Sequence, residues 1–253
     1  MRLVMKAIFA TKKIYATLPL FDFMRDENLS PRDRLAFYPC MARFILDFGD
    51  LNKYVMRDET SSDPHQLLVN AHTYEDDHHW PWYLEDFAAL GFDQAKPCSE
   101  MLASLYGDDT SVNRLLMTRL AHMLYDATPT EKLVIIEAIE ETGNVLFALT
   151  AQLARRLEGE LGIHLKYLGD FHFNLETGHA MNGADHRELA AIALSPAERE
   201  RCLMLVEKVF RLFGEWTDEL LAYAHRDLKI GDVTKKPRGL RLVSGMASEL
   251  QDN

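Results

Sequence analysis

Thr128-Pro129-Thr130-Glu131 opens the segment on which the fold turns, and no further proline follows it until Pro196. A threonine at the N-cap accepts hydrogen bonds from the bare N–H groups of the first helical turn. Proline at the next position has a φ that is already helical and no N–H to lose, and glutamate at the third bonds back to the cap. The same signal recurs as Ser30-Pro31-Arg32-Asp33, Asp63-Pro64-His65-Gln66 and Ser195-Pro196-Ala197-Glu198. Each start precedes apolar residues at helical spacing. The pattern predicts helices over about 31–57, 64–90, 111–126, 129–159, 162–181 and 196–226, with a short one within 97–107. No sustained heptads, internal repeat or low-complexity linker appears, so the expectation is an all-α protein: one compact helical domain over 1–253 with a polar tail from about 227.

Composition narrows the function. The 253 residues carry 28 Lys+Arg against 39 Asp+Glu, a net charge of −11, with 47% apolar residues. An acidic chain lacks the basic face that neutralises phosphates, so nucleic acid is not an expected partner; the cationic cluster Lys235, Lys236, Arg238 and Arg241 reads as solvated tail. No apolar run is long enough for a membrane span. Lys12 and Lys13 interrupt the N-terminus before a signal peptide could form, which predicts a cytoplasmic protein. Cys40, Cys98 and Cys202 are odd in number and widely spaced, which predicts buried thiols rather than a disulfide framework or a thiolate metal site.

Ten histidines are present, and four of them fall in two stripes. At about 100° per residue, His72, Glu75 and His79 lie within roughly 60° on one helix face, and His172, Glu176 and His179 do the same on another. Both segments contain Glu-x-x-His, as Glu75 to His78 and Glu176 to His179, the spacing by which helical bundles hold two-metal centres. Such centres take further carboxylates from other helices. Glu141 interrupts the small apolar stripe of Val134, Ala138, Val145 and Ala148 and is the preferred candidate, because a carboxylate there is costly unless paired or ligating. Its neighbour Glu140 takes the role if the helical phase is shifted, and Asp47 or Asp50 is the candidate from the segment 31–57. His78 is the lesser candidate of its adjacent pair, and His65, His122, His164, His186 and His225 read as structural or exposed. Trp80, Trp82, Phe171 and Phe173 flank the stripes and could exclude water.

These residues resemble the heme-oxygenase-like di-iron oxidases, also known as iron-containing redox enzymes, over most of the chain. The resemblance rests on His172-Phe173-Asn174-Leu175-Glu176-Thr177-Gly178-His179, on His72-Thr73-Tyr74-Glu75-Asp76-Asp77-His78-His79, and on a lone glutamate between them, Glu141 or Glu140. Glu176 stands where better-studied members usually carry aspartate. The resemblance implies a bundle of about seven helices, two Fe(II) ions with O2 as co-substrate, and oxidation of a small carboxylate- or amine-bearing metabolite. The implied metal set is His72, Glu75, His79, Glu141, His172, Glu176 and His179. Two competing readings are a metal-free enzyme of the same fold, thiaminase-like or quinone-cofactor-synthase-like, and a non-catalytic helical interaction protein. The oligomeric state stays open, a homodimer being one arrangement.

Overall fold

The computed structural model describes residues 1–93, 95, 97–179 and 185–228, excluding the side chains of 176–179 and 185–187. The described residues form helices and no strand: α1 Arg2–Tyr15, α2 Pro19–Arg25, α3 Ala42–Leu51, α4 Pro64–Asp76, α5 Trp80–Ala89, α6 Cys98–Tyr106, α7 Ser111–Tyr125, α8 Pro129–Leu161, α9 Asp170–His179, α10 Asp185–Ala191 and α11 Pro196–Asp227. None of them is long and apolar enough to cross a membrane.

Helix α8 is the axis of the packing and touches α1, α4, α9 and α11. Both of its ends follow from local sequence. At its start Glu131 N–H donates to Thr128 Oγ1 at 3.3 Å and Thr128 N–H returns to Glu131 Oε2 at 2.9 Å. Arg201 of α11 donates to the other oxygen of Glu131 at 2.8 Å, tying the cap to the neighbouring helix. At its end Gly162 takes a φ of +67°, a conformation glycine adopts without strain. Between the ends, residues on nearly every side of α8 are buried, including Leu133, Ile135, Ala138, Ala151 and Leu157. They join one core with Tyr15, Phe21, Leu35, Phe37, Val206 and Phe210.

Two predicted helices are broken by prolines inside them. Pro39 falls within 31–57, which becomes two short 3-10 turns, α3, and a π-turn over Asn52–Met56. Pro81 falls within 64–90, where α4 ends at Asp76 and α5 starts at Trp80. A continuous helix would drive the Pro81 ring into the carbonyl of Asp77 and leave that carbonyl without a donor. Gly49 of α3 packs against this break: a Cβ on it would lie 2.7 Å from Asp77 O. The predicted helix 162–181 starts late, at Asp170. Helices α1, α2 and α10 escaped the cap pattern; α1 has no side-chain cap on Met1. Cys98 is exposed rather than buried, at the start of an α6 that buries none of its residues.

The turn from α8 to α9 is held by Asp86 of α5, which accepts from Lys166 N–H at 2.6 Å and from Leu168 N–H at 2.8 Å. Gly169 completes it, because a Cβ there would lie 2.0 Å from Leu165 O. Burial raises the Asp86 carboxyl to about 6 against the partial compensation of those N–H groups. Its ionisation therefore costs more in the folded chain than in the unfolded one, so its contribution is fully present below about pH 4 and declines as pH rises through about 6. Asp86→Asn, which turns an NH2 toward one of the two donors, should lose about 1–3 kcal/mol at neutral pH. In chemical denaturation, the margin of wild type over this variant should shrink by up to about 3 kcal/mol between pH 4 and pH 7. A margin independent of pH would show that the carboxyl does not titrate in this range.

Candidate metal centre

Helix α4 carries His72 and Asp76 one turn apart, facing α8. His72 Nε2 lies 2.9 Å from Asp76 Oδ2 and 3.5 Å from Glu140 Oε1 of α8. One ligand atom of each lies within 4.8 Å of the others. Asp76 is 3% exposed and Glu140 is 9% exposed, while His72 is half-buried. Burial works against a charged His72, but the two carboxylates outweigh it and hold its pKa well above the ordinary value. The protein alone thus carries an imidazolium between two carboxylates. None of the described residues donates a hydrogen bond to Asp76 Oδ1. A buried carboxylate oxygen without a donor is costly, and a cation within reach is its natural partner. One imidazole and two carboxylates suit a hard or borderline divalent ion such as iron, manganese or zinc.

A second group lies on the same cavity. His79 caps α5 instead of continuing α4, and its ring stacks on Trp82 at 4.5 Å between centroids. From α9, His172 is 2% exposed and its Nδ1 lies 2.9 Å from Tyr167 O. A carbonyl only accepts, so Nδ1 of His172 carries a hydrogen. Its Nε2 meets His79 Nδ1 at 3.1 Å. In the tautomer in which His172 Nε2 accepts, His79 Nδ1–H donates. This is the arrangement by which a backbone carbonyl fixes the tautomer of a ligating histidine through its neighbour. Phe147 and Tyr167 pack on the His172 ring at 4.4 Å and 4.5 Å. Asp76, His79, Glu140 and His172 all line one cavity, whose other walls are largely apolar.

The predicted residues divide as follows. His72, His79 and His172 are brought to this region, but not on the stripes first drawn, because the break at Pro81 takes His79 off α4. Glu75 is exposed, and Asp76 is the acid that turns inward beside Val69 and Thr73. The sequence carried a signal for it, since Asp76 to His79 repeats the carboxylate-x-x-His spacing. On α8 it is Glu140 that meets His72. Glu141, 3% exposed, pairs with Lys12 of α1, and this pair answers the carboxylate in an apolar stripe. Asp47 pairs with Arg43 at 2.6 Å, and Asp50 is exposed. His78 is exposed. The side chains of Glu176 and His179, and all of the tail from 229, lie outside the described residues.

No protein-family model matches the chain, and no curated protein resembles it significantly.

The Lys12–Glu141 pair is unequal, Lys12 keeping about a third of its side chain in water while Glu141 keeps almost none. Lys12→Met should therefore destabilise by about 3–5 kcal/mol, leaving a buried carboxylate unpaired. Glu141→Leu releases a cation that still reaches solvent and should cost clearly less. Urea denaturation of both variants gives the order, and equal losses would mean that the pair does not govern the stability of this contact.

Proposed function

We propose that this chain is a non-heme iron oxidase or oxygenase that uses O2 to oxidise a small metabolite, a heme-oxygenase-like di-iron enzyme. The observation that carries the reading is the His72–Asp76–Glu140 cluster at the wall of an apolar cavity. These three side chains would hold one Fe(II). His79, oriented by His172, is the described side chain available to a second. Bound iron would supply the activation of O2. The chain itself supplies the rest. Asp76 and Glu140 keep the proton on His72 Nε2 until a metal takes its place, so loading should release a proton. The Tyr167 carbonyl orients His172 and, through it, His79. Trp82, Phe147 and Tyr167 close around these rings and keep water from them.

A second reading draws on the same cluster. An imidazolium between two carboxylates satisfies much of its own charge, as a metal-free enzyme of this fold would need. Metal analysis separates the two. Anaerobic titration with Fe(II), followed by gel filtration and elemental analysis, should show tight retention by the wild type. Asp76→Asn and His72→Ala should lower retained iron by about tenfold or more. Glu75→Gln, on the exposed face, should retain as much as wild type. Wild-type protein that keeps no iron, or an Asp76→Asn variant that keeps all of it, overturns the proposal.

A further inference from the structure

Helix α6 turns its apolar side to solvent. Cys98, Met101, Leu102, Leu105 and Tyr106 recur at spacings of three and four, which places them on one face of its nine residues. A stripe of that kind belongs against a core, yet none of it is buried: Met101 is 51% exposed, Leu102 50% and Tyr106 57%, and Leu105 is half-buried. Among the described residues α6 rests on α7 and on the turn Asp108–Thr110, and the stripe is left largely uncovered. Helices shorter than about 12–15 residues are marginal in water unless an apolar face is packed, so covering this stripe would stabilise α6. The rim of the stripe is acidic. Between positions 97 and 110 the charged residues are Glu100, Asp108 and Asp109, all exposed, with no lysine or arginine.

The last described helix ends beside this face. Arg226, in the final turn of α11, donates to Asp109 O at 3.3 Å, and its Nε lies 3.9 Å from Asp109 Oδ2. Residues 229–253 continue from there. As far as position 241 they carry Lys229, Lys235, Lys236, Arg238 and Arg241 against Asp232 alone, a charge opposite to that of the rim. Beyond the basic stretch Leu240, Val243, Ala247 and Leu250 recur at spacings of three and four, the period of the stripe on α6. Fully extended, 229–241 reaches roughly 40 Å, against about 14 Å for the length of α6. We propose that residues 229–253 dock on α6 of the same chain, with 235–241 against Glu100, Asp108 and Asp109 and the apolar residues from Leu240 onward against Met101, Leu102 and Tyr106. Exposed ion pairs contribute little by themselves, so the charges set the orientation and the apolar stripe supplies the contact. A second copy is the competing occupant, but two α6 faces brought together would set one acidic rim against another.

The test is hydrogen–deuterium exchange of the full chain, read by mass spectrometry over residues 98–106, with sedimentation of the same samples. The combined variant Lys235→Glu, Lys236→Glu, Arg238→Glu and Arg241→Glu should speed exchange in α6 by about tenfold. Leu240→Ser with Val243→Ser should do the same, and salt at about 0.5 M should speed exchange in the wild type. On the other side of the contact, Glu100→Lys with Asp108→Lys should also remove the protection. Combining that pair with the four tail reversals should restore it, a recovery that damage to either segment alone would not give. All of these positions are exposed or lie outside the described residues, and unchanged exchange over α8 in each variant shows that the fold is intact. Protection in the wild type should not depend on protein concentration. The proposal is overturned if α6 exchanges alike in the wild type and both tail variants, or if the double reversal fails to restore protection. Protection that appears only with a concentration-dependent dimer overturns it as well, giving α6 to a second copy.

Discussion

The missing N–H of Pro81 is the constraint from which the site is built. It ends α4 at Asp76, and the chain turns through Asp77 and His78 before α5 begins. Had the helix continued, His79 would lie two turns along the same stripe as His72, and both would look in one direction. The break separates them. His72 and Asp76 stay on α4 against α8, whereas His79 swings to the cap of α5 and meets His172 of α9. Three elements are needed to hold the break in place. Arg57 donates to the Asp77 carboxylate at 2.7 Å and to Thr73 O at 2.8 Å, so it binds the last turn of α4 from outside. Gly49 lets α3 approach the Asp77 carbonyl more closely than any other residue would permit. Asp86, further along α5, holds the turn that delivers α9.

Buried carboxylates on α8 show how one helix settles the same electrostatic problem in different ways. Glu131 is answered by the backbone of its own cap and by Arg201, which hold its pKa below the ordinary value despite burial. Glu141 is answered by a lysine from α1 that remains partly in water. Glu140 is answered by a histidine, which unlike arginine can give up its proton to a metal that takes its place and become a ligand. Only the last arrangement leaves a donor set that a divalent ion could take over, because an exchange of proton for metal leaves every carboxylate with a partner. An arginine in place of His72 would pair both carboxylates and close the site to metal for good.

The helical class and the three longest elements were legible because they rest on local chemistry. The caps at Thr128 and Ser195 form as written, and α7, α8 and α11 run close to their predicted bounds. The interruptions are legible too, since Pro39 and Pro81 stand in the sequence, and at both the missing N–H outweighs the apolar spacing that runs across it. What the sequence could not supply was helical phase. Glu140 and Glu141 differ by about 100° around α8, and which of them faces α4 depends on Lys12, more than a hundred residues away in the chain. Likewise Glu75 and Asp76 sit about equally near the His72 stripe, and the choice between them is made by the packing of Val69 and Thr73 against neighbours that no local pattern names.

The same dependence on distant partners explains why the apolar end of the cavity was invisible in the sequence. Phe44 and Phe48 lie in a segment read as one long helix, and Phe213 and Trp216 in another more than a hundred and fifty residues later. Each is an unremarkable core aromatic by its own spacing. They become one wall because α3 and α11 face the same cavity that Gly143 of α8 lines. A cavity of this kind is a packing decision rather than a motif, since large residues on three helices leave unfilled what a fourth small one vacates. The polar end is bounded by backbone rules, through Pro81, Gly49 and Gly169, and admits little variation. The apolar end is bounded by side-chain volume, so a change of volume at that end need not disturb the polar residues at the other.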